Sequence, residues 1–314
     1  MSGPTFADVE AAARRIADLV PPTPVLRSAA VDGWTGTRVH LKAEHLHATG
    51  AFKLRGATNA VLLLDDDTAS RGVAAHSSGN HAAALARAAA LRGIAAHIVM
   101  PGNTSKPKQL AVAGYGGRII FCEAADRERT CAEIVQATGA TLIHPYNDDR
   151  IIAGQGTAAL ELLEDLPDLD SVVAPVGGGG LLSGTAIAVK ALRPTVRVIG
   201  AEPAEAADAA ASIKAGHIVE RPVNTIADGL RTMLGERTFS IIRDNVDEIT
   251  TVTEEGIIAA MRRIWEVLKI VVEPSGAVPF AAVREHPEKF NGQRVGIIIS
   301  GGNADLDTLP WIGR

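Results

Sequence analysis

Apolar residues along this chain fall into two alternating patterns. Short runs rich in Val and Ile, each about the length of a strand, are separated by longer stretches whose apolar residues recur at helical spacing. Strands are predicted at Val39–Lys42, Gly72–His76, Ile94–Met100, Gly117–Cys122, Thr141–His144, Ser171–Val176, Val196–Ala201 and Val295–Ser300. Helices are predicted at Ala7–Val20, Phe52–Leu64, His81–Arg92, Lys106–Tyr115, Asp126–Thr138, Gly154–Leu166, Leu181–Leu192, Glu254–Lys269 and Ala277–His286. The Pro21-Pro22-Thr23-Pro24 cluster ends the first helix, because proline lacks the N–H a helix interior needs. Asp65-Asp66-Asp67 closes the second and reads as a solvated loop, not a metal cluster. Strands apolar along their whole length, with helices between them, indicate parallel sheets covered on both faces. With no fixed-period repeat and no low-complexity linker, one compact α/β body is expected, with a cleft between two open parallel twisted sheets.

Composition narrows the classes. The chain has 314 residues, with 31 Lys and Arg against 36 Asp and Glu, a formal charge of −5. A nucleic-acid-binding body would carry a clustered basic excess, so none is expected. Cys122 and Cys131 are too few for a disulfide framework or a four-ligand zinc site, and they fit a reducing compartment. No stretch approaches the roughly 20 apolar residues of a membrane helix. Met1-Ser2-Gly3-Pro4 has neither a basic nor an apolar leader region, so the expected setting is cytoplasmic, without membrane partners.

Four short stretches carry candidate chemistry. The predicted strand Ser171–Val176 runs directly into Gly177-Gly178-Gly179-Gly180 and then a helix. Glycine lets successive N–H groups converge, and the helix start adds partial positive charge, so this is an anion cradle suited to phosphate. A dinucleotide fingerprint fails, because Leu182 or Ser183 stands where its third glycine is needed; a P-loop fails at Thr185, where lysine is needed. A tight turn that only permits close packing is the competing reading. The second stretch, Thr49 to Ala57, puts Lys53 at a helix start among small and apolar residues. Burial and the helix dipole both push a lysine below its usual value of about 10.4, the state in which it can act as an imine-forming amine. Third, His76-Ser77-Ser78-Gly79-Asn80-His81 joins a strand to a helix and offers hydroxyls, an amide and free N–H groups to a carboxylate or a ring oxygen. Fourth, Ser300-Gly301-Gly302-Asn303 lies at the C-terminal end of the last strand, where ligands gather in open α/β sheets.

In this order the four stretches resemble those of fold-type II, tryptophan-synthase-β-like pyridoxal-phosphate enzymes, within them the serine/threonine dehydratase and serine racemase branch. The resemblance runs from Pro24-Val25-Leu26 to the tail around Trp311. Gly50-Ala51-Phe52-Lys53, His144-Pro145-Tyr146-Asn147-Asp148, Ile152 to Thr157 and Val272 to Pro279 are most similar to the 3-hydroxyaspartate dehydratases. It implies a large cofactor-binding domain of residues 1–70 and 147–314 and a small domain of residues 71–146. Lys53 would carry pyridoxal 5'-phosphate as a Schiff base beside Phe52. Gly177, Gly178, Gly179 and Gly180 would hold the phosphate, Asn80 the ring hydroxyl and Ser300 the pyridine nitrogen. A neutral hydroxyl at that nitrogen suits elimination. The family often has serine where this chain has Ala51, so that hydroxyl is absent here.

The reaction so implied is ammonia-lyase chemistry on a β-hydroxy amino acid, with 3-hydroxyaspartate going to oxaloacetate and ammonia. Lys53 would take the Cα proton, and Ser78 would stand on the opposite face as a base or as a carboxylate ligand. Ser77, Ser78 and Gly79 would bind substrate, with His81 and Tyr146 in reach, and Arg127 would meet a distal carboxylate bidentately. Glu202, the Ala206 carbonyl and Asp208 match the family's divalent-cation site, an oxygen set suited to Mg²⁺, Mn²⁺ or Ca²⁺. A homodimer is implied as well. The alternatives are a serine racemase with serine/threonine dehydratase activity, a nicotinamide-dependent dehydrogenase, which the missing fingerprint opposes, and a cofactor-binding protein without turnover.

Overall fold

The computed structural model describes residues 3–312, so Met1 and Ser2, on which the leader expectation partly rests, lie outside the described residues. In chain order the strands are β1 (Val25–Leu26), β2 (Arg38–Ala43), β3 (Val73–His76), β4 (Ala96–Pro101), β5 (Arg118–Cys122), β6 (Thr141–Leu142), β7 (Ser171–Pro175), β8 (Arg197–Pro203), β9 (Glu248–Val252) and β10 (Arg294–Ile299). They form two sheets, ordered β1-β2-β10-β7-β8-β9 and β5-β4-β3-β6. All pairings are parallel except that of β1 with β2, which is antiparallel at the edge of the larger sheet. No described helix is long and apolar enough to cross a membrane.

The period of two along a strand divides the core of the large sheet. Val173, Ile297 and Ile299 face one side, where they pack with residues of the helices Glu254–Leu268 and Pro274–Glu285. Their neighbours Val172, Ala174 and Ile298 face the other, against the helices Phe6–Ile16, Asp149–Asp165 and Gly180–Leu192. The last two of these helices cross almost backbone to backbone: a Cβ added to Gly184 would lie 2.9 Å from Gly156 Cα. A separate core lies under the small sheet and is built largely from the alanine-rich helix Asn80–Arg92.

Several elements differ from expectation. Residues between β8 and β9 form the helices Asp208–Ala215 and Glu236–Asn245, of 8 and 10 residues, which the strand-and-helix pattern above leaves unassigned. β9 is a sheet-edge strand of mixed polarity, Glu-Ile-Thr-Thr-Val, and so lacks the continuous apolar signal of the buried strands. Asp65-Asp66-Asp67 is exposed but is not a loop: the Asp65 carboxylate accepts a hydrogen bond from the Thr68 N–H at 2.8 Å and caps the short helix Asp66–Ser70. The helix expected from Gly154 begins five residues earlier, at Asp149, where the Asp148 carboxylate accepts from the Arg150 N–H.

One buried ionic cluster ties these layers together. The Arg55 side chain is fully buried on the helix Lys53–Leu62. Its Nε donates to Glu44 Oε2 at 2.6 Å, and its Nη1 and Nη2 donate to the Glu161 carboxylate at 2.6 and 2.7 Å. Lys42 Nζ, equally buried, reaches Glu161 Oε2 at 2.7 Å. Burial alone would raise the Glu44 pKa, but Arg55 and His47 hold it well below the usual carboxylate range. Because removing one partner leaves the others charged and dry, Arg55→Met should destabilise the fold by about 3–5 kcal/mol. Denaturant titration of the variant against the parent chain measures this; a loss under about 1 kcal/mol would contradict it.

Candidate active site

The C-terminal ends of β3, β7 and β10 open onto one cavity of about 540 Å³ between the two sheets. Phe52, Lys53, Ser77, Ser78, Gly79, Asn80, His81, Arg127, Tyr146, Gly177, Gly178, Gly179, Gly180 and Ser300 all line it, so every residue expected around the cofactor and substrate is brought together.

Lys53 is placed by backbone bonds to the last strand. Ala51 forms a bridge with Gly301, and the Phe52 N–H donates to the Ser300 carbonyl at 3.0 Å. The next residue starts the helix, so Lys53 emerges at its N-terminus beside Ser300. Its Nζ donates to the Pro145 carbonyl at 2.7 Å and sits 5.1 Å from the centre of the Phe52 ring. Burial lowers its pKa to about 8. A far larger share of the amine is therefore unprotonated near neutrality than in an ordinary lysine, as an imine-forming lysine requires.

The glycine run leads from β7 to the helix Gly180–Leu192. Gly179 adopts φ +86°, a conformation side chains resist. A Cβ on Gly178 would run into the Tyr146 ring, and one on Gly180 would lie 2.9 Å from Tyr146 Cβ. Among the described residues no protein acceptor takes the N–H groups of Gly177, Gly178 or Gly179. Free donors at a helix start, with side chains excluded, make a cradle that fits a phosphate.

Across the cavity, Asn80 Nδ2 donates to Glu273 Oε1 at 2.8 Å while Asn80 Oδ1 accepts from Asn303 Nδ2 at 2.8 Å, which fixes the orientation of the amide. Burial, then the neighbouring Asp228, raises Glu273 to about 7. His81 Nε2 donates to the Ile143 carbonyl at 2.9 Å, and burial lowers its pKa to about 3. His144 Nδ1 accepts from the Tyr146 and Asn147 N–H groups, and burial together with the nearby His76 and Lys53 brings it to about 4. Both imidazoles are neutral at physiological pH. Arg127 starts the helix Arg127–Thr138; its Nε donates to the Ala124 carbonyl at 2.9 Å, and among the described residues no protein acceptor takes its terminal amines.

Other lining residues have no role assigned from the sequence: His76 and His144, which stand inside the stretches quoted above, and Lys108, Glu128, Asp228 and Glu273. Glu273 was within reach, inside the stretch Val272 to Pro279. Lys108 and Asp228, an ion pair at the cavity wall between residues 120 positions apart, carry no local signal.

Comparison with known proteins agrees with this geometry. Residues 16–301 match the sequence profile of the family described as pyridoxal-phosphate dependent enzyme. The chain belongs to that family. A β-hydroxyaspartate dehydratase of Paracoccus denitrificans is 49% identical over 311 residues, covering 98% of this chain and 99% of that protein. A serine racemase of Arabidopsis thaliana is 50% identical over 303 residues, covering 94% of this chain and 92% of that protein. The solved structure of maize serine racemase superposes with a TM-score of 0.96 at 46% identity, covering 98% of this chain and 96% of that one. Membership in the pyridoxal-phosphate dependent enzymes sets aside the nicotinamide alternative, and the cradle and the lysine are the parts such a cofactor needs.

Glu202, Ala206 and Asp208 do not line this cavity: Glu202 lies near the C-terminal end of β8, Ala206 in the turn that follows and Asp208 at the start of the next helix. Glu202 accepts from the N–H groups of Ala209 and Ala210 at 2.8 and 3.0 Å. Both Asp208 oxygens are buried without a hydrogen-bond partner. Burial raises Glu202 to about 8 and Asp208 to about 6. Two dry carboxyls, one of them unpartnered, fit a cation, which would relieve the cost of ionising both. No group of three or more Asp, Glu, His or Cys side chains suited to a metal occurs among the described residues, so the Ala206 carbonyl and water would complete such a set.

The lysine's lowered pKa gives a pH dependence. Only the neutral amine attacks an aldehyde, so cofactor uptake by the cofactor-free chain should plateau above about pH 8 and fall about tenfold for each unit below it. Stopped-flow absorbance during uptake follows this directly. A midpoint near the ordinary lysine value, about 10.4, would show that burial does not tune the group.

Proposed function

We propose that the chain is a carbon–oxygen lyase that deaminates 3-hydroxyaspartate to oxaloacetate and ammonia. Four cations line the cavity, Lys53, Lys108, Arg127 and Arg231. Lys108 is paired with Asp228, and Arg231 donates through Nε and Nη2 to the Thr225 carbonyl. Arg127 alone among them has both terminal amines unengaged among the described residues, whereas Arg231 keeps only Nη1 free, and the neutral His81 and His144 add no charge. A free guanidinium in the same cavity as the lysine suits a second, distal carboxylate, which serine and threonine lack. That observation carries the choice of substrate, and the similarity to β-hydroxyaspartate dehydratase supports it.

In this reading residues 1–70 and 147–314 hold the cofactor, and residues 71–146 form the smaller domain that closes the substrate side. When bound, pyridoxal phosphate supplies an electron sink for the substrate Cα. The hydroxyls of Ser77 and Ser78 and the N–H groups of Ser78 and Gly79 receive the α-carboxylate, the Ser77 N–H being held by the Val99 carbonyl at 3.0 Å, and Arg127 receives the distal one. Lys53 Nζ takes the Cα proton, its lowered pKa making it a competent base near neutrality. Loss of the β-hydroxyl and hydrolysis of the enamine leave oxaloacetate and ammonia with no net consumption of water. Asn80 and Ser300 serve the ring oxygen and ring nitrogen, with Phe52 beside the ring, and His81 and Tyr146 bound the substrate space. A second reading, serine racemisation with dehydration, is favoured by Ser78 in the cavity wall, since a group on the opposite face of Cα is what racemisation needs. A cytoplasmic homodimer is the expected setting for either.

Release of 2-oxo acid from the stereoisomers of hydroxyaspartate, serine and threonine decides between the readings through kcat/KM. Arg127→Ala should lower kcat/KM for hydroxyaspartate by about 100-fold and leave serine within about threefold, the loss expected of a bidentate charged contact. Equal losses on both substrates would remove Arg127 from the distal site.

Glu202, the Ala206 carbonyl and Asp208 hold a divalent cation in this proposal, with a structural or activating role. Millimolar Mg²⁺, Mn²⁺ or Ca²⁺ should raise Tm relative to EDTA, and Asp208→Asn should abolish the difference. The same Tm with chelator and with each cation would discard the site.

A further inference from the structure

The grip of a glycine loop on an anion depends on which way its peptide groups face. A trans peptide points its C=O and its N–H in opposite directions, so fastening one aims the other. In the peptide joining Gly178 to Gly179, neither flanking residue has a Cβ, so steric resistance to rotation is at its lowest. A flipped peptide would present a carbonyl oxygen where a phosphate requires a donor.

One side chain opposes that flip. Thr238, in the first turn of the helix Glu236–Asn245, is fully buried beneath the loop and is not part of the cavity wall. Its Oγ1 donates to the Gly178 carbonyl at 2.8 Å; the Gly235 carbonyl, at 3.1 Å, is the longer alternative. The same oxygen accepts from the Gly235 N–H at 2.9 Å, which holds the hydroxyl in place. The underside of the loop is closed around it: a Cβ on Gly179 would lie 2.8 Å from both Thr238 Cβ and Leu234 Cδ2 and 2.9 Å from Ile242 Cδ1. With the Gly178 carbonyl drawn down to Thr238, the Gly179 N–H is turned the opposite way, to the cavity side.

We propose that Thr238 is a positioning residue for phosphate: it pins the Gly178–Gly179 peptide so that the Gly179 N–H faces the anion. This rests on the family reading of the cavity and adds to it a residue that touches neither cofactor nor substrate.

Pyridoxal 5'-phosphate and pyridoxal, which differ only in the phosphate, are the probes. Each is titrated by absorbance and fluorescence into the cofactor-free full-length chain, with the ³¹P shift of the bound phosphate recorded alongside. Thr238→Val keeps the shape and removes the hydroxyl; it should weaken pyridoxal phosphate binding about 10- to 100-fold, the worth of one hydrogen bond supporting a charged ligand. Pyridoxal binding should change less than about threefold, and the ³¹P signal should move. Thr238→Ser keeps the hydroxyl and should bind both probes as the parent does. Should Thr238→Val not fold, Thr238→Cys, whose thiol is a weak donor, takes its place with the same expectation. Equal loss of both probes would mark Thr238 as merely structural and overturn the proposal, as would unchanged pyridoxal phosphate binding. A parent chain that binds neither probe would instead overturn the cofactor reading itself.

Discussion

A fully buried guanidinium fixes the geometry of this molecule. Arg55 is fully buried and is held by Glu44 and Glu161, which come from the end of β2 and from the helix Asp149–Asp165. Charged groups taken out of water survive only where every partner is in place, so such a cluster tolerates few alternative packings. Arg55 stands two residues after Lys53 on one helix. Whatever holds Arg55 therefore holds the start of that helix, and the bond from the Phe52 N–H to the Ser300 carbonyl holds its other side. The amine that faces the cavity is anchored from below by ionic contacts and from beside by the last strand of the sheet.

From that fixed point the cavity is assembled by strand ends. Parallel strands release their chains on one edge, so the turn after β3, the glycine loop after β7 and Ser300 after β10 all face the same space. The two halves contribute different chemistry. The large sheet supplies the amine, the anion cradle and Ser300. The segment around the small sheet supplies Ser77 to His81 and Arg127, groups suited to a carboxylated substrate. Polarity is divided in the same way: burial keeps His81 and His144 neutral, so the free positive charge on the substrate side is concentrated at Arg127.

Much of the site could be read because its parts are local. A strand followed by four glycines and a helix start, or a lysine opening a helix among small residues, declares its backbone function within about ten positions. The alternation of Val-rich runs with helical stretches likewise exposes the parallel sheets, since strands buried on both faces are mostly apolar. The signal fades where burial is one-sided. β9 mixes polar and apolar positions, and the helices Asp208–Ala215 and Glu236–Asn245, of 8 and 10 residues, are short enough to leave little period to read, yet Asp208 and Thr238 lie on those helices.

By itself the sequence determined the α/β class, the phosphate-cradle and lysine stretches and the family likeness, because each is written in contiguous residues whose backbone preferences are short-ranged. Tertiary structure alone decided which distant side chains meet: Arg55 with Glu161, Asn80 with Glu273, Lys108 with Asp228, and Thr238 with Gly178. Those pairs are 60 to 193 positions apart, and two of them, Asn80 with Glu273 and Lys108 with Asp228, join the segment around the small sheet to the large-sheet half. Contacts of that range depend on how layers pack and on what burial does to each charge, and no local pattern encodes either.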